Sequence, residues 1–148
     1  MLDAFNRRFV TFHTRLYRAT GGLVGHRMTG LVASLLLTTT GAKTGLERSV
    51  ALAYARDGDA YLIVASNFGG DRSPSWLANL RAHPDAEVRV GRRLVPVTAE
   101  ILLPGAPEYE RLFTVADRAT RGRYSRYRTM TERPIPVVRL APGTEVRR

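Results

Sequence analysis

The chain has 148 residues and no cysteine, and its 23 lysine and arginine residues against 13 acidic ones give a net charge of +10. This length fits one domain with a single hydrophobic core, and the 44% of hydrophobic residues exclude a chain disordered throughout. Without cysteine there is no disulfide framework, thiol nucleophile or thiolate metal site, and the sequence shows no signal peptide or membrane-spanning run. We therefore expect a cytoplasmic protein whose partner is anionic.

The first 29 residues are predicted to form an amphipathic helix over residues 2–19 and a glycine-rich connector. Apolar residues recur in this segment at spacings of three and four: Leu2, Phe5, Phe9, Phe12 and Leu16. Arginines flank this stripe, as in helices that lie on anionic membrane surfaces. The sequence leaves open whether the helix makes peripheral contact with the inner face of the membrane or packs on the rest of the protein.

Residues 30–148 are predicted to form the main domain, which begins with strands. β-Branched and apolar residues predict strands over 32–39, 48–55 and 61–65, separated by a turn at 41–45 and a hairpin signal at Asp57-Gly58. A loop over 67–73 follows. A short helix is then predicted over 75–82, since Pro74 suits its start and Pro84 cannot continue it.

The second half of this domain repeats the alternation of strands and helices. It is predicted to contain strands over 87–90 and 94–103, a helix over 107–118, a polar tyrosine-bearing stretch over 120–131 and a last strand over 135–140. Pro134 and Pro136 predict that the last strand starts at a sheet edge. Strands in hairpin order favour an antiparallel sheet that is closed or nearly closed, and hence an α+β fold.

The turn between Gly41 and Gly45 is a candidate anion site. A turn bounded by glycines leaves backbone N–H groups accessible to an anion. Lys43, which is the one lysine of the chain, adds a point charge, Thr44 a hydroxyl and Arg48 a bidentate fork. A plain hairpin turn with solvated charges accounts for the same spacing.

Three further motifs are candidates for ligand contact. Ser66 ends a strand before a glycine loop, Trp76 and Asn79 lie on the short helix, and Tyr124 and Tyr127 share one helical face. A surface loop, a core tryptophan and packing tyrosines are the structural alternatives. No histidine has metal-ligand spacing, and no Ser-His-Asp set or carboxylate pair supports hydrolysis.

In their order and spacing these motifs resemble the deazaflavin (coenzyme F-420)-dependent nitroreductase family of the split β-barrel flavin and deazaflavin oxidoreductase superfamily. The resemblance covers residues 30–140 and rests on LLTTTG-x-K-T-G-x-x-R, R-D-G-D, V-A-S, P-x-W-x-x-N-L-R-A-x-P and R-x-I-P-V-V. It implies a mainly antiparallel split β-barrel with flanking helices.

The resemblance also implies an enzyme that transfers a hydride from reduced coenzyme F-420, an 8-hydroxy-5-deazaflavin with an oligoglutamate tail, to a quinone, enone or nitro-type electrophile. The alternatives are a coenzyme-binding protein without chemistry and a split barrel that binds FMN or haem. A nucleic-acid partner is not favoured, because the arginines are spread along the chain without a recognition motif. The sequence leaves open whether the protein is a monomer or a homodimer.

The site residues that follow from the resemblance form four groups. Ala42, Lys43 and Thr44 would meet the tail; Arg48, Ser49, Val50, Ala51, Leu52 and Ala53 would line the groove; Val64, Ala65, Ser66 and Asn67 would lie near the ring; Ser75, Trp76, Leu77, Ala78 and Asn79 would form a wall. Tyr124 would lie over the ring, and Tyr124, Tyr127 and Ser66 are the catalytic candidates. Relatives often have a basic residue where Ala42 stands, Lys-Gly-Gly where the loop from Asn67 begins, and an aromatic residue where Arg121 stands, so nitroimidazole reduction is not implied.

Overall fold

The computed structural model describes residues 32–143, so the predicted helix over 2–19 and its connector lie outside the described residues. The strands of this part are β1 (Ser34–Thr40), β2 (Glu47–Ala53), β3 (Ala55–Asp57), β4 (Ala60–Val64), β5 (Asp85–Val90), β6 (Arg93–Leu102) and β7 (Val137–Pro142). Its α-helices are α1 (Ser75–Ala82), α2 (Tyr109–Ala119) and α3 (Arg123–Arg128). The helix predicted over 75–82 has the predicted bounds, and α3 lies in the polar, tyrosine-bearing stretch over 120–131, where Tyr124 and Tyr127 were expected to share one helical face.

The strands form one antiparallel sheet in the order β2-β1-β5-β6-β7-β4-β3. The strands β2 and β3 stand at opposite ends of the sheet, yet Tyr54 alone separates them in the chain. The sheet must therefore curl until its two ends approach each other. This confirms the predicted α+β fold with a nearly closed antiparallel barrel, whereas the single strand predicted over 48–55 is wrong because the chain passes from one end of the sheet to the other at Tyr54.

The last strand, β7, lies inside the sheet and pairs with β4 on one side and β6 on the other. The predicted edge position is therefore wrong. Pro134 and Pro136 precede Val137, the first residue of β7, so the N–H groups that the prolines lack fall outside the ladder. The carbonyl of Pro136 still accepts a hydrogen bond from the Ala65 N–H, at 3.0 Å.

Two apolar clusters hold the sheet to its helices. Inside the barrel, alternate strand residues such as Leu35, Leu37 and Ile63 pack with Trp76 and Leu80 of α1. On the opposite face of β4 and β7, α2 and α3 cover a second cluster that includes Leu62, Val64, Val137, Leu112, Phe113 and Tyr124. All five residues of β4 are buried because both faces of this strand are covered. Within residues 32–143, none of the helices is sufficiently long and apolar to cross a membrane.

Candidate functional site

The turn between β1 and β2 is held by its own backbone. The Gly41 N–H donates to the Leu46 carbonyl at 2.8 Å, and the Gly45 N–H donates to the Gly41 carbonyl at 2.9 Å. A Cβ on Gly41 would lie 2.8 Å from Thr44 Oγ1, and Gly45 has a φ of +67°, so this tight turn requires glycine at both ends. Lys43 is exposed at the tip of the turn.

Asn79 fixes this turn to α1. Its Oδ1 accepts a hydrogen bond from the Ala42 N–H at 2.9 Å, and its Nδ2 donates to Thr39 Oγ1 at 3.0 Å. The Asn79 side chain is 9% exposed, so these bonds lie within the protein. Asn79 therefore positions the turn, a role that was not predicted from the sequence.

The loop that follows β4 has a strained backbone. Asn67 and Phe68 have φ values of 44° and 56°, in the left-handed region that non-glycine residues rarely adopt. Each such residue costs on the order of 1–3 kcal/mol, so the surroundings must hold it in place. The Asn67 Nδ2 donates to the Arg72 carbonyl at 2.9 Å, which closes one side of the loop.

Arg133 holds the other side of the loop, and the sequence analysis assigned it no role. Its Nε donates to the Gly70 carbonyl at 2.8 Å, its Nη1 to the Ala65 carbonyl at 3.1 Å and its Nη2 to the Ser66 carbonyl at 2.8 Å. Burial lowers the pKa of the Arg133 guanidinium, and nearby Asp71 partly opposes this shift. The R-x-I-P-V-V motif contains this arginine and was the available sequence signal.

An aromatic cluster joins the loop to α3. The ring centroids of Phe68 and Tyr127 are 6.2 Å apart, and those of Tyr127 and Tyr124 are 6.3 Å apart, both in edge-to-face orientation. Burial raises the pKa of the Tyr124 phenol well above its ordinary value. Tyr109, in the same apolar cluster as Tyr124, donates its hydroxyl hydrogen bond to the Ile135 carbonyl at 2.7 Å.

Several residues of the predicted site are buried in the protein. The side chains of Ala51, Val64, Ala65, Trp76 and Leu77 are each less than 9% exposed. Both backbone groups of Ala65 already have partners, in the Pro136 carbonyl and the Arg133 guanidinium. Trp76 packs in the first apolar cluster and is therefore mainly a core residue, which was the alternative to ligand contact that the sequence left open.

Within residues 32–143, the exposed face of α1 and the strand β2 present groups that a ligand could contact. Ser75 and Ala78 are exposed on α1, and β2 pairs with β1 but with no other strand of the described range. In β2, Arg48 is exposed and Ser49, Val50, Leu52 and Ala53 are half-buried.

Helix α1 connects the two halves of the candidate site. Ser75 follows the loop, and Asn79, which holds the turn, is four residues further along the helix. At 1.5 Å per residue this separation is about 6 Å along the axis. The structure therefore brings the turn and the loop close to the same short helix, although three strands separate them in the sequence.

A cavity beside β1, β2 and β5 is acidic. Its volume is about 430 Å³, and its charged lining residues are Glu47, Asp85 and Glu87 against one arginine, Arg89. Three carboxylates against one cation disfavour a polyanion there. A second cavity, of about 360 Å³, lies beside the end of α3 and is lined by Asp71 and residues 129–133. Among the described residues, no group of three His, Asp or Glu side chains is arranged to hold a metal ion.

The chain is similar in sequence to proteins of known family. The family model described as F420H(2)-dependent quinone reductase matches residues 9–142. An F420H(2)-dependent quinone reductase of Mycobacterium tuberculosis is 50% identical over 133 residues, which are 90% of this chain and 89% of that protein.

Two solved structures share the fold. A structure of an F420-H2 dependent reductase is 37% identical with a TM-score of 0.65, over 72% of this chain and 92% of that one. A structure described as a domain-swapped dimer is 37% identical with a TM-score of 0.66, over 72% of this chain and 78% of that one. The predicted resemblance to deazaflavin-dependent reductases and the predicted enzyme class are confirmed. The chain belongs to the F420H(2)-dependent quinone reductase family.

Proposed function

We propose that this chain binds reduced coenzyme F-420 along α1 and β2 and transfers its hydride to a quinone. One observation carries the proposal: the hydrogen bond between Ala42 and Asn79 fixes the cationic turn to the helix that also adjoins the Ser66 loop. A coenzyme with an anionic tail at one end and a planar ring at the other needs two such regions at a fixed distance. Enones and nitro compounds accept hydride by related chemistry and are further candidate substrates.

The turn fits the tail in chemistry and exposure. Ala42, Lys43 and Thr44 are exposed, and the turn presents a cationic ammonium and a hydroxyl. The hydroxyl of Thr44 accepts a hydrogen bond from the Leu46 N–H, so its own proton remains available to a phosphate or carboxylate oxygen. Arg48 adds a second cation on β2. The cavity lined by Glu47, Asp85 and Glu87 carries three carboxylates against one arginine, which supports the turn as the tail site.

The ring is proposed to lie between the Ser66 loop, the exposed face of α1 and the backbone of β2. Ser66, Asn67, Ser75 and Ala78 would border it, with Ser49 to Ala53 along one side. The buried side chains of Ala65, Trp76 and Leu77 would then form the floor behind these residues, whereas the Val64 side chain lies in the cluster on the other face of β4. We assign to the Ser66 hydroxyl the role of orienting the ring by hydrogen bonding.

The chain's own residues orient the reactants and supply a proton. When bound, the reduced deazaflavin supplies the hydride. Addition of one hydride and one proton to a quinone gives the hydroquinone. We assign the proton to the Tyr124 hydroxyl, with Tyr127 beside it as the alternative donor. Fixed positioning of the reactants lowers the barrier by on the order of 7 kcal/mol or more in favourable cases.

A titration with four ligands tests the coenzyme assignment. The protein is titrated with coenzyme F-420, FMN, haem and duplex DNA, followed by fluorescence or absorbance. We expect saturable binding of F-420 and much weaker binding of FMN. Equal or tighter binding of FMN or haem would favour the corresponding split-barrel alternative. Binding of F-420 with no quinone reduction would favour a coenzyme-binding protein without chemistry.

Assembly and location extend the proposal. The domain-swapped dimer among similar structures supports a homodimer, which light scattering of the purified protein tests.

Cytoplasmic location with peripheral contact of residues 2–19 on an anionic membrane rests on the sequence alone. Sedimentation with anionic liposomes tests this contact, and a variant that lacks residues 1–18 should lose it.

A further inference from the structure

The guanidinium of Arg133 lies within the mouth of the loop after β4 and bonds to three of its carbonyl groups. These belong to Ala65, Ser66 and Gly70, at 3.1, 2.8 and 2.8 Å, and the Pro134 carbonyl lies 3.3 Å from Nη1. The three loop carbonyls belong to residues 63 to 68 positions before Arg133 in the sequence. A planar fork of donors suits this arrangement, whereas a lysine ammonium cannot reach all three carbonyls at once.

The loop needs an external partner to keep its shape. Inside it, the Gly69 N–H donates to the Ser66 carbonyl at 2.9 Å and the Gly70 N–H to the Asn67 carbonyl at 3.0 Å. These two bonds enclose Asn67 and Phe68. The left-handed backbone angles of these two residues are energetically unfavourable and oppose the shape that the bonds maintain. Without the guanidinium, the buried carbonyls of Ala65 and Ser66 would lose a partner, and the loop would relax toward ordinary backbone angles.

A change in the loop would reach α3 directly. A Cβ on Gly69 would lie 3.0 Å from Met130 Cβ and 3.4 Å from Tyr127 Cα, so the loop backbone lies tightly against this segment. The ring of Phe68 meets the ring of Tyr127, which in turn meets Tyr124. Because Gly69 lies so close to Met130 and Tyr127, the loop cannot shift toward this segment without displacing it, and the ring contacts carry such a shift to the two tyrosines.

We infer that Arg133 is a positioning residue: it holds the loop over residues 66–70 in its left-handed conformation and thereby sets the places of Tyr127 and Tyr124 above the ring site. The effect on turnover rests on the proposed function. The effect on the loop does not, and it can be measured on the protein without coenzyme.

The test compares Arg133→Met and Arg133→Lys with Arg92→Met, a matched loss of one charge in the exposed turn between β5 and β6. Amide hydrogen exchange of the peptide over residues 65–72 reports the loop, because the Gly69 and Gly70 N–H groups are bonded within it. Turnover with a naphthoquinone and the coenzyme Kd are measured on the same samples, with the melting temperature to correct for the folded fraction.

In Arg133→Met we expect faster exchange in this peptide and a kcat that is roughly 10- to 100-fold lower, as displaced reacting groups produce. The coenzyme Kd should change less than kcat, since the tail site is separate, and Arg133→Lys should recover part of both effects. Arg92→Met should match the wild type.

Unchanged loop exchange in Arg133→Met would overturn the inference, as would a loss of kcat fully explained by a smaller folded fraction. If Arg133→Met does not fold, Arg133→Lys decides by the same measurements. If the wild type reduces no quinone, the proposed function fails, while the exchange comparison still decides the role of Arg133.

Discussion

The amide oxygen of Asn79 accepts a hydrogen bond from the backbone N–H of Ala42 at 2.9 Å, across 37 residues of sequence. The same side chain donates to Thr39 at 3.0 Å, so one buried amide joins the end of β1, the turn and α1. An amide is suited to this task because it donates and accepts at once. The cationic tip of the turn therefore has a fixed position relative to the helix.

Removal of this amide should loosen the turn and weaken coenzyme binding. We expect Asn79→Ala to lower the free energy of unfolding by about 1–3 kcal/mol, because it leaves buried polar groups without a partner. Thr39→Val removes one of the two bonds and should cost less. In the double variant the two effects should not add, and the coupling should be about 0.5–3 kcal/mol. Urea denaturation and coenzyme titration of all four proteins provide the measurement; additive effects with an unchanged Kd would refute the joint role.

Lys43 should contribute to coenzyme affinity through charge. Lys43→Ala is expected to raise the coenzyme Kd roughly fivefold at low ionic strength, in keeping with an exposed charge contact, and less at high salt. The proposed contact is near the surface, where added ions screen it. Arg92→Ala, an equal charge change in the turn between β5 and β6, should leave the Kd nearly unchanged. A loss of affinity that is the same at all salt concentrations would contradict a tail site at this turn.

Substitution of Tyr124 tests its assignment as the proton donor. Tyr124→Phe removes the hydroxyl and keeps the ring that packs against Tyr127. We expect turnover to fall by roughly a hundredfold, as the loss of general acid help produces, with little change in coenzyme Kd or melting temperature. Tyr109→Phe is the contrast, since its hydroxyl bonds to the Ile135 carbonyl and its loss should lower stability instead. Unchanged turnover in Tyr124→Phe would transfer the role to Tyr127 or to water.

Alkaline pH should destabilise the protein in part through Tyr124. Burial raises the pKa of its phenol in the folded state above the value of about 10 expected in the unfolded chain. The stability from this group is therefore fully present below pH 10 and is lost as the pH rises toward the folded-state pKa, because the unfolded chain ionises first. Half-buried Tyr54 and buried Tyr109 act in the same direction. Tyr124→Phe should make the decline of melting temperature above pH 10 shallower; an identical decline would argue against a buried phenol at this position.

The sequence predicted local features and missed those that depend on distant contacts. The bounds of α1 followed from Pro74 and Pro84, and the turn at Gly41 followed from its glycines. The break at Tyr54 was missed, because a run of apolar residues does not reveal that its two halves pair with opposite ends of a sheet. The edge position of the last strand was wrong, since proline before a strand leaves its ladder intact.

The candidate site was also predicted only where it depends on local sequence. The turn, the loop and the tyrosines were named in advance, but their supports were not. Arg133 reaches carbonyls more than 60 residues away, and the left-handed backbone of Asn67 and Phe68 carries no glycine signal. Trp76 was equally consistent with core and with ligand contact, and its contacts place it in the core.

The most direct test of the central claim is an anaerobic reaction of the purified protein with reduced coenzyme F-420 and a naphthoquinone. The reduced coenzyme carries either hydrogen or deuterium at the carbon that donates the hydride. We expect one equivalent of coenzyme to be oxidised per quinone reduced, at a rate that is proportional to the protein and slower with deuterium. Oxidation no faster than in buffer alone, or reduction of the quinone supported by FMN but not by F-420, would contradict the account.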